Sequence, residues 1–403
     1  MKIAIIGAGI TGLTIGYRLS KKGHQVTIFE KEKFSGGLAA GFKKKDWDWP
    51  LDLFFHHLFT SDDNAKTLIK ELGLEKKLFY LQAKTSIFRQ GKTYQFDSPL
   101  SVLKFPLISP LDRFRTGLVT LFLKTSSDWQ TLEKFKTSRW LRKYYGQAVY
   151  QTLWQPLLKS KFGHQAEKIS MAWFWARIKK RSARLGYLEG GFQTLINRLE
   201  EEIENKGSKI SLNQEVKNLK EIKDFDKIVI TTPTHQFFPK IKLPKMLGAI
   251  SLILELKKKF LEENTYWLNI NEEGFPFVAL VEQTNFIDKK YYGDSHLVYL
   301  GGYYPQDHPY FKMTKEQVLK EFLPYLKKIN PHFNHSSVVG CYLSLAHQAQ
   351  PIIPTDYSQI IPSHKTALKN VYLANMQQVY PWDRGLNYAI ELGNKVSQLI
   401  LNE

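Results

Sequence analysis

Apolar residues fall into two rhythms along the 403-residue chain. Lys2 to Ile6 and Val26 to Phe29 are short β-branched runs that read as buried strands. Between them Leu13, Ile15, Tyr17 and Leu19 mark a helix, which Gly23 ends. A Gly190-Gly191 turn then feeds a helix running to Glu204. A strand near Ile210 leads on to Val216, and the buried run Lys227 to Ile230 closes at a proline turn. Four more apolar runs begin at Ala249, Tyr266, Phe277 and His296, for which an antiparallel meander is the economical arrangement. Glu282, Gln283 and Asn285 end one of them, either lining a cavity or lying on an edge. A last short strand at Val371 precedes a C-terminal helix, with Asp383 expected as its cap.

The first strand-to-helix turn carries chemistry. Gly7, Gly9 and Gly12 stand in GxGxxG spacing: the first allows the tight turn, the second admits a pyrophosphate to the backbone, and the third lets helix and strand pack closely. The helix directs its N-terminal amides at the phosphates. Glu30, at the end of the second strand, is placed to accept ribose hydroxyls. A dinucleotide site follows, with Ala8, Ile10, Thr11 and Lys31 as its further contacts.

Size and charge change this picture. At this length two interleaved domains are expected. The single cysteine, Cys341, excludes an internal disulfide and points to a reducing, cytoplasmic setting; strand one leaves no room for a signal peptide. Formal net charge is +19, and between Lys124 and Arg184 fourteen Lys and Arg face three acids. Aromatics interleave them, in Trp140-Leu-Arg-Lys-Tyr-Tyr and in Ala172-Trp-Phe-Trp-Ala-Arg, which read as helices with aromatics inward and cations outward. An ordinary solvated face would look like this. So would a surface meeting anionic membrane, because Leu100 to Leu123 nearby is apolar and interfacial in character. Nucleic acid is the least supported partner, since no recognised module for it is present.

A second glycine doublet, Gly36-Gly37, follows Glu30 after five residues, with Leu38 next. This Glu-x5-Gly-Gly extension resembles the FAD-binding fold of the amine oxidase and protoporphyrinogen oxidase superfamily. The resemblance implies FAD as cofactor and an α/β architecture: a Rossmann-like FAD-binding domain of the GR2 type with an interleaved α+β substrate domain built on an antiparallel sheet. Residues 1–80, 186–240 and 341–403 would form the first domain, and 81–185 and 241–340 the second. It further implies that the backbone at Val216 packs on the adenine, a position a plain core strand would explain equally. Asn375 would bond ribitol or phosphate, standing where many members carry an acid. The C-terminal helix, with Asp383, Arg384, Gly385, Leu386 and Asn387 at its head, would close the flavin site.

His56-His57 follows the doublet in an aromatic setting, and His57-Leu-Phe-Thr resembles a segment of the UDP-galactopyranose mutases. That resemblance places His57 beside the flavin as the candidate catalytic residue. Metal binding is not expected, because adjacent histidines point apart and no third ligand is spaced for it. The lysine typical of amine oxidases beside flavin N5 finds no position in this sequence. The resemblance therefore implies, first, an oxidoreductase passing a hydride from an apolar or phosphorylated small molecule to flavin N5. A flavin-dependent nucleotide-sugar mutase is the second reading, and a non-catalytic basic scaffold at a membrane surface the third.

Overall fold

The computed structural model describes residues 1–239 and 244–403. The expected domain boundary at 240–241 lies outside the described residues.

Lys2–Ile6 pairs in parallel with Gln25–Phe29 on one side and Lys227–Ile230 on the other. Lys209–Ser211 and Val371–Leu373 complete a five-stranded parallel sheet. Every residue of Lys227–Ile230 is buried, as the near-continuous apolar runs of a sheet covered on both faces require. The opening helix Ile10–Ser20 and the closing helix Leu386–Leu401 lie together against it. A Cβ on Gly393 would stand 2.7 Å from Thr14 Cβ, and Thr11 Oγ1 donates to Ala389 O at 3.2 Å. Contacts that advance in the same direction along both helices make them parallel, so their N-termini share one end of the molecule.

The second layer is a seven-stranded sheet in the order Val338–Pro351, Met246–Leu256, His296–Tyr304, Ala279–Glu282, Thr265–Ile270, Lys84–Arg89, Lys92–Gln95. It is larger than the expected meander and not wholly antiparallel, for Thr265–Ile270 runs parallel to Lys84–Arg89. The expected boundary at 341 cuts the strand Val338–Pro351, whose residues pair with Met246–Leu256 throughout. The chain rejoins the parallel sheet only at Val371.

Between residues 99 and 180 the chain is helical, and Tyr145, Tyr150, Phe162, Trp173, Phe174 and Trp175 form its core. In the two aromatic-basic stretches read from the sequence the aromatics lie inward except Tyr144, which is exposed, and Arg142 and Lys143 lie outward, while Arg177 is half-buried against Asp383. Lys161, outside those stretches at the end of the helix Gln155–Phe162, is buried.

Candidate functional site

The glycine loop takes the shape its spacing predicts. Gly7 has φ +103°, and a Cβ on Gly12 would lie 2.0 Å from Gly7 O, so only glycine lets helix and loop meet. Gly9 is different. Its φ of −71° suits any residue, and no atom of the protein lies within 4 Å of where its Cβ would be. A glycine that the fold itself does not require leaves room for a ligand.

The doublet docks on this loop. Gly36 N donates to Ala8 O at 2.8 Å, and a Cβ on Gly37 would stand 3.3 Å from Gly9 Cα. Both doublet residues have positive φ, +106° and +57°. Glu30 braces the loop from the other side: its carboxylate accepts from Ala8 N at 2.8 Å and Glu32 N at 3.0 Å. Ile10 is buried, Leu38 half-buried, and Lys31 is exposed and pairs with Glu32 at 3.7 Å. At the shared helix end the first-turn amides of both helices lack intrahelical acceptors by construction, so two positive dipole ends converge beside the loop.

Two expectations are corrected, the strand at Val216 and the cap at Asp383, while Gly385, Leu386 and Asn387 stand at the head of the closing helix as expected. Val216 lies in a loop rather than a strand; it is buried, and its carbonyl accepts from Gln236 Nε2 at 3.1 Å. Asn375 caps a short turn, its Oδ1 accepting from Gln377 N at 3.1 Å. Asn387 Oδ1 accepts from Ala65 N at 3.0 Å, tying the closing helix to the helix Asp63–Glu71. Leu386 is buried, and Gly385, not Asp383, occupies the cap position of the closing helix. Glu282 is buried and accepts from Phe260 N and Leu261 N, while Asn285 Nδ2 donates to Thr265 O at 2.7 Å. Those two residues hold neighbouring backbone segments to the sheet.

Asp383 serves a different purpose. Arg177 Nη1 donates to its Oδ2 at 2.6 Å, Trp173 Nε1 to its Oδ1 at 3.3 Å, and the Lys161 ammonium stands 3.9 Å away. Arg384 donates to Gln350 Oε1 at 3.0 Å and to the Tyr303 hydroxyl. Burial would raise the Asp383 carboxyl, but Lys161, Arg177 and Arg384 hold it down to about 2. Lys161, by contrast, is pushed well below the usual lysine range, first by burial and then by Arg177 and Arg384. Its ammonium lies 5.0 Å from the ring centroids of both Trp173 and Tyr303. Trp382 stacks between Trp175 and Tyr388 beside this group.

His56 and His57 sit just below. Burial drives the rings down to about 4 and about 3, at His56 against a hydrogen bond with the Phe54 backbone. Both are neutral near pH 7. His57 packs edge-on to Phe59, Tyr266 and Trp267. Opposite, Leu38 and Phe54 pack on Ala249, Ala346 and Ala349, which joins the glycine doublet to the seven-stranded sheet.

The cation cluster escaped the sequence reading because its members come from residues 161, 177, 303, 350 and 384. One signal was available. Lys161 falls on the same helical face as Leu158 and precedes Phe162, a charged residue where the pattern calls for an apolar one.

A parallel sheet with a glycine cradle, a doublet seated on it and two converging helix ends defines a dinucleotide-binding flavoprotein fold, and its residues fit FAD. The comparisons agree: residues 10–401 match the family described as flavin containing amine oxidoreductase, and the chain belongs to it. It is 28% identical over 159 residues to a 15-cis-phytoene desaturase of Synechococcus elongatus, covering 36% of this chain and 33% of that protein. It is 25% identical over 292 residues to the coproporphyrinogen III oxidase of Staphylococcus aureus, covering 59% and 61%. The matches thus span less than two thirds of these relatives. A reduced UDP-galactopyranose mutase superposes with a TM-score of 0.76 at 14% identity, over 100% of this chain and 95% of the other, a likeness of fold alone.

Proposed function

We propose that this protein is an FAD-dependent oxidoreductase whose substrate combines an apolar body with an anionic group. One observation carries the substrate class: Arg177, Arg384 and the buried Lys161 amine converge on the single carboxylate of Asp383, so that even the two guanidiniums alone exceed it in charge, in a half-buried, aromatic setting. Buried charge is stable only when compensated, and an incoming carboxylate or phosphate would supply the missing counter-charge.

FAD, when bound, would supply an acceptor at N5 for the hydride of a substrate C–H bond, the second hydrogen of the dehydrogenated product leaving as a proton to solvent. The chain's own groups do the rest. Gly9 and the doublet give the dinucleotide close backbone approach, and Glu30 offers a carboxylate at its ribose end. The closing helix aims its positive end at negative charge gathered beside Gly385. Lys161 and Arg384 grip the anion, Trp382 and Tyr303 wall the apolar body, and neutral His56 and His57 orient it without adding charge. Held neutral, His57 is a positioning residue rather than a proton donor.

The test mixes purified holoprotein anaerobically with long-chain and aromatic acids and with their methyl esters, and follows bleaching of the flavin absorbance. The reading expects acids to bleach the flavin and esters to fail. Equal bleaching by neutral amines would overturn the substrate class. Turnover of a nucleotide sugar only after chemical reduction, with no acceptor consumed, would replace the oxidoreductase with the mutase. A protein that holds FAD and turns over none of these would leave the scaffold reading in its place.

A further inference from the structure

The helix Pro110–Thr125 lies on the outside of the helical block, capped by Ser109, and buries only Thr116 and Leu123. Its outer face is apolar. Leu111 is 76% exposed, Phe114 61%, Leu118 52%, Leu121 59% and Phe122 54%, at a spacing that places them in one stripe along the helix. The preceding helix, Pro99–Leu103, adds Leu100 and Leu103, both more than half exposed. Of the seventeen large hydrophobic residues exposed among the described residues, nine lie between 100 and 144. The stripe borders a cleft of about 520 Å³ whose walls include Phe135, Trp140 and Tyr144. A contiguous apolar surface of this kind is uncommon on a protein facing water alone and marks a site of contact.

The charges around it select the occupant. Lys104, Lys124, Lys134, Lys136, Arg139, Arg142 and Lys143 are all exposed around the stripe, against exposed Asp128 and partly buried Asp112. A second copy of the chain docking on itself would bring one cationic rim against another. A surface that is apolar within and negative at its boundary matches both features. The helix has 16 residues, too few to cross a bilayer, which needs about 20. No helix among the described residues is long and apolar enough to do so.

We infer that the Pro99–Leu103 and Pro110–Thr125 helices form an in-plane docking face for an anionic lipid bilayer, with Leu111, Phe114, Leu118 and Leu121 entering the headgroup boundary and the lysine and arginine rim resting on the lipid phosphates. The inference is independent of the flavin reading, since none of these residues touches the glycine loop or the cation cluster.

The experiment is co-sedimentation of the holoprotein with vesicles of phosphatidylcholine alone and of phosphatidylcholine mixed with phosphatidylglycerol. Wild type is expected to partition at least tenfold more strongly onto the anionic vesicles, and less as salt is raised. The double variant L118E/L121E is expected to lose at least tenfold of that partitioning while keeping flavin content and Tm, because both side chains face outward. Lys134→Glu combined with Lys136→Glu should lose the preference for anionic vesicles. Binding by L118E/L121E equal to wild type would overturn the inference, as would absence of binding to anionic vesicles. A concentration-dependent dimer that L118E/L121E abolishes, without vesicle binding, would also overturn it and assign the face to a second copy.

Discussion

Arg177 and Asp383, 206 residues apart in the chain, meet at 2.6 Å where the helical block touches the segment that leads into the closing helix. This ion pair fastens the helical block to the segment that leads into the closing helix. Among the described residues Lys161 and Arg384 form no ion pair with a second carboxylate, and the anion site proposed above rests on that imbalance.

Replacing Asp383 by asparagine leaves buried Lys161 and half-buried Arg177 and Arg384 without their shared carboxylate. The expected cost is about 2–3 kcal/mol, below the range for a fully buried pair because Arg177 and Asp383 keep 28% and 19% of their side chains exposed. It should appear as a lower Tm that phosphate or sulfate partly restores. The carboxyl is held at about 2, below its ordinary value, so its contribution is present above pH 4 and fades as pH falls toward 2. Thermal melts of wild type and D383N from pH 7 to pH 3 should therefore converge at the acid end.

Gly9→Ala and Gly12→Ala separate the fold from the cofactor. The Gly9 backbone accepts a side chain and no protein atom obstructs one, so G9A should fold with an unchanged apo-protein Tm. It should still lose FAD, through obstruction of the pyrophosphate path. G12A drives a methyl group into Gly7 O and should lower Tm as well. Flavin-to-protein absorbance ratios and melts of both apo-proteins check the distinction.

Lys161→Met removes a buried cation and keeps the volume. Stability should hold or rise, since burial already holds the Lys161 amine well below the usual lysine range and Asp383 keeps Arg177 at 2.6 Å as its partner. Affinity for acid substrates should fall roughly 10- to 100-fold, the worth of a charge-assisted hydrogen bond. Acid titration followed by the flavin spectrum, beside a thermal melt, reads both.

Asp52 is fully buried, accepting from the Tyr187 hydroxyl at 2.8 Å and Phe192 N at 3.3 Å, and burial lifts its carboxyl to about 7. A raised acid is stabilising in its protonated form, so this contribution is present below pH 4 and is lost as pH rises through 7. The Tm of Asp52→Asn, which carries no titrating proton, should gain on wild type between pH 5 and 8. A constant difference across that range would contradict the assignment.

The parts of the site that the sequence exposed are those made by neighbours in the chain. Gly7, Gly9 and Gly12 and the doublet at 36–37 are turn residues whose spacing is itself the geometry. Glu30 needs only the end of its strand to reach the loop. The seven-stranded sheet was half legible: the runs at Ala249, Tyr266, Phe277 and His296 are strands, but pairing across nearly two hundred residues, as between Thr265–Ile270 and Lys84–Arg89, leaves no local mark. Asp383 shows the same limit from the other side. Beside a helix start an aspartate reads as a cap, and only the approach of Arg177 and Lys161 turns it into a counter-ion.

The central claim is that the glycine cradle holds FAD. It is tested most directly by unfolding the purified protein and identifying every released small molecule by mass spectrometry. FAD is expected at close to one per chain and absent from G9A, with any co-purifying ligand carrying a carboxylate or phosphate. A protein that releases no flavin and takes up none when FAD is added would contradict it.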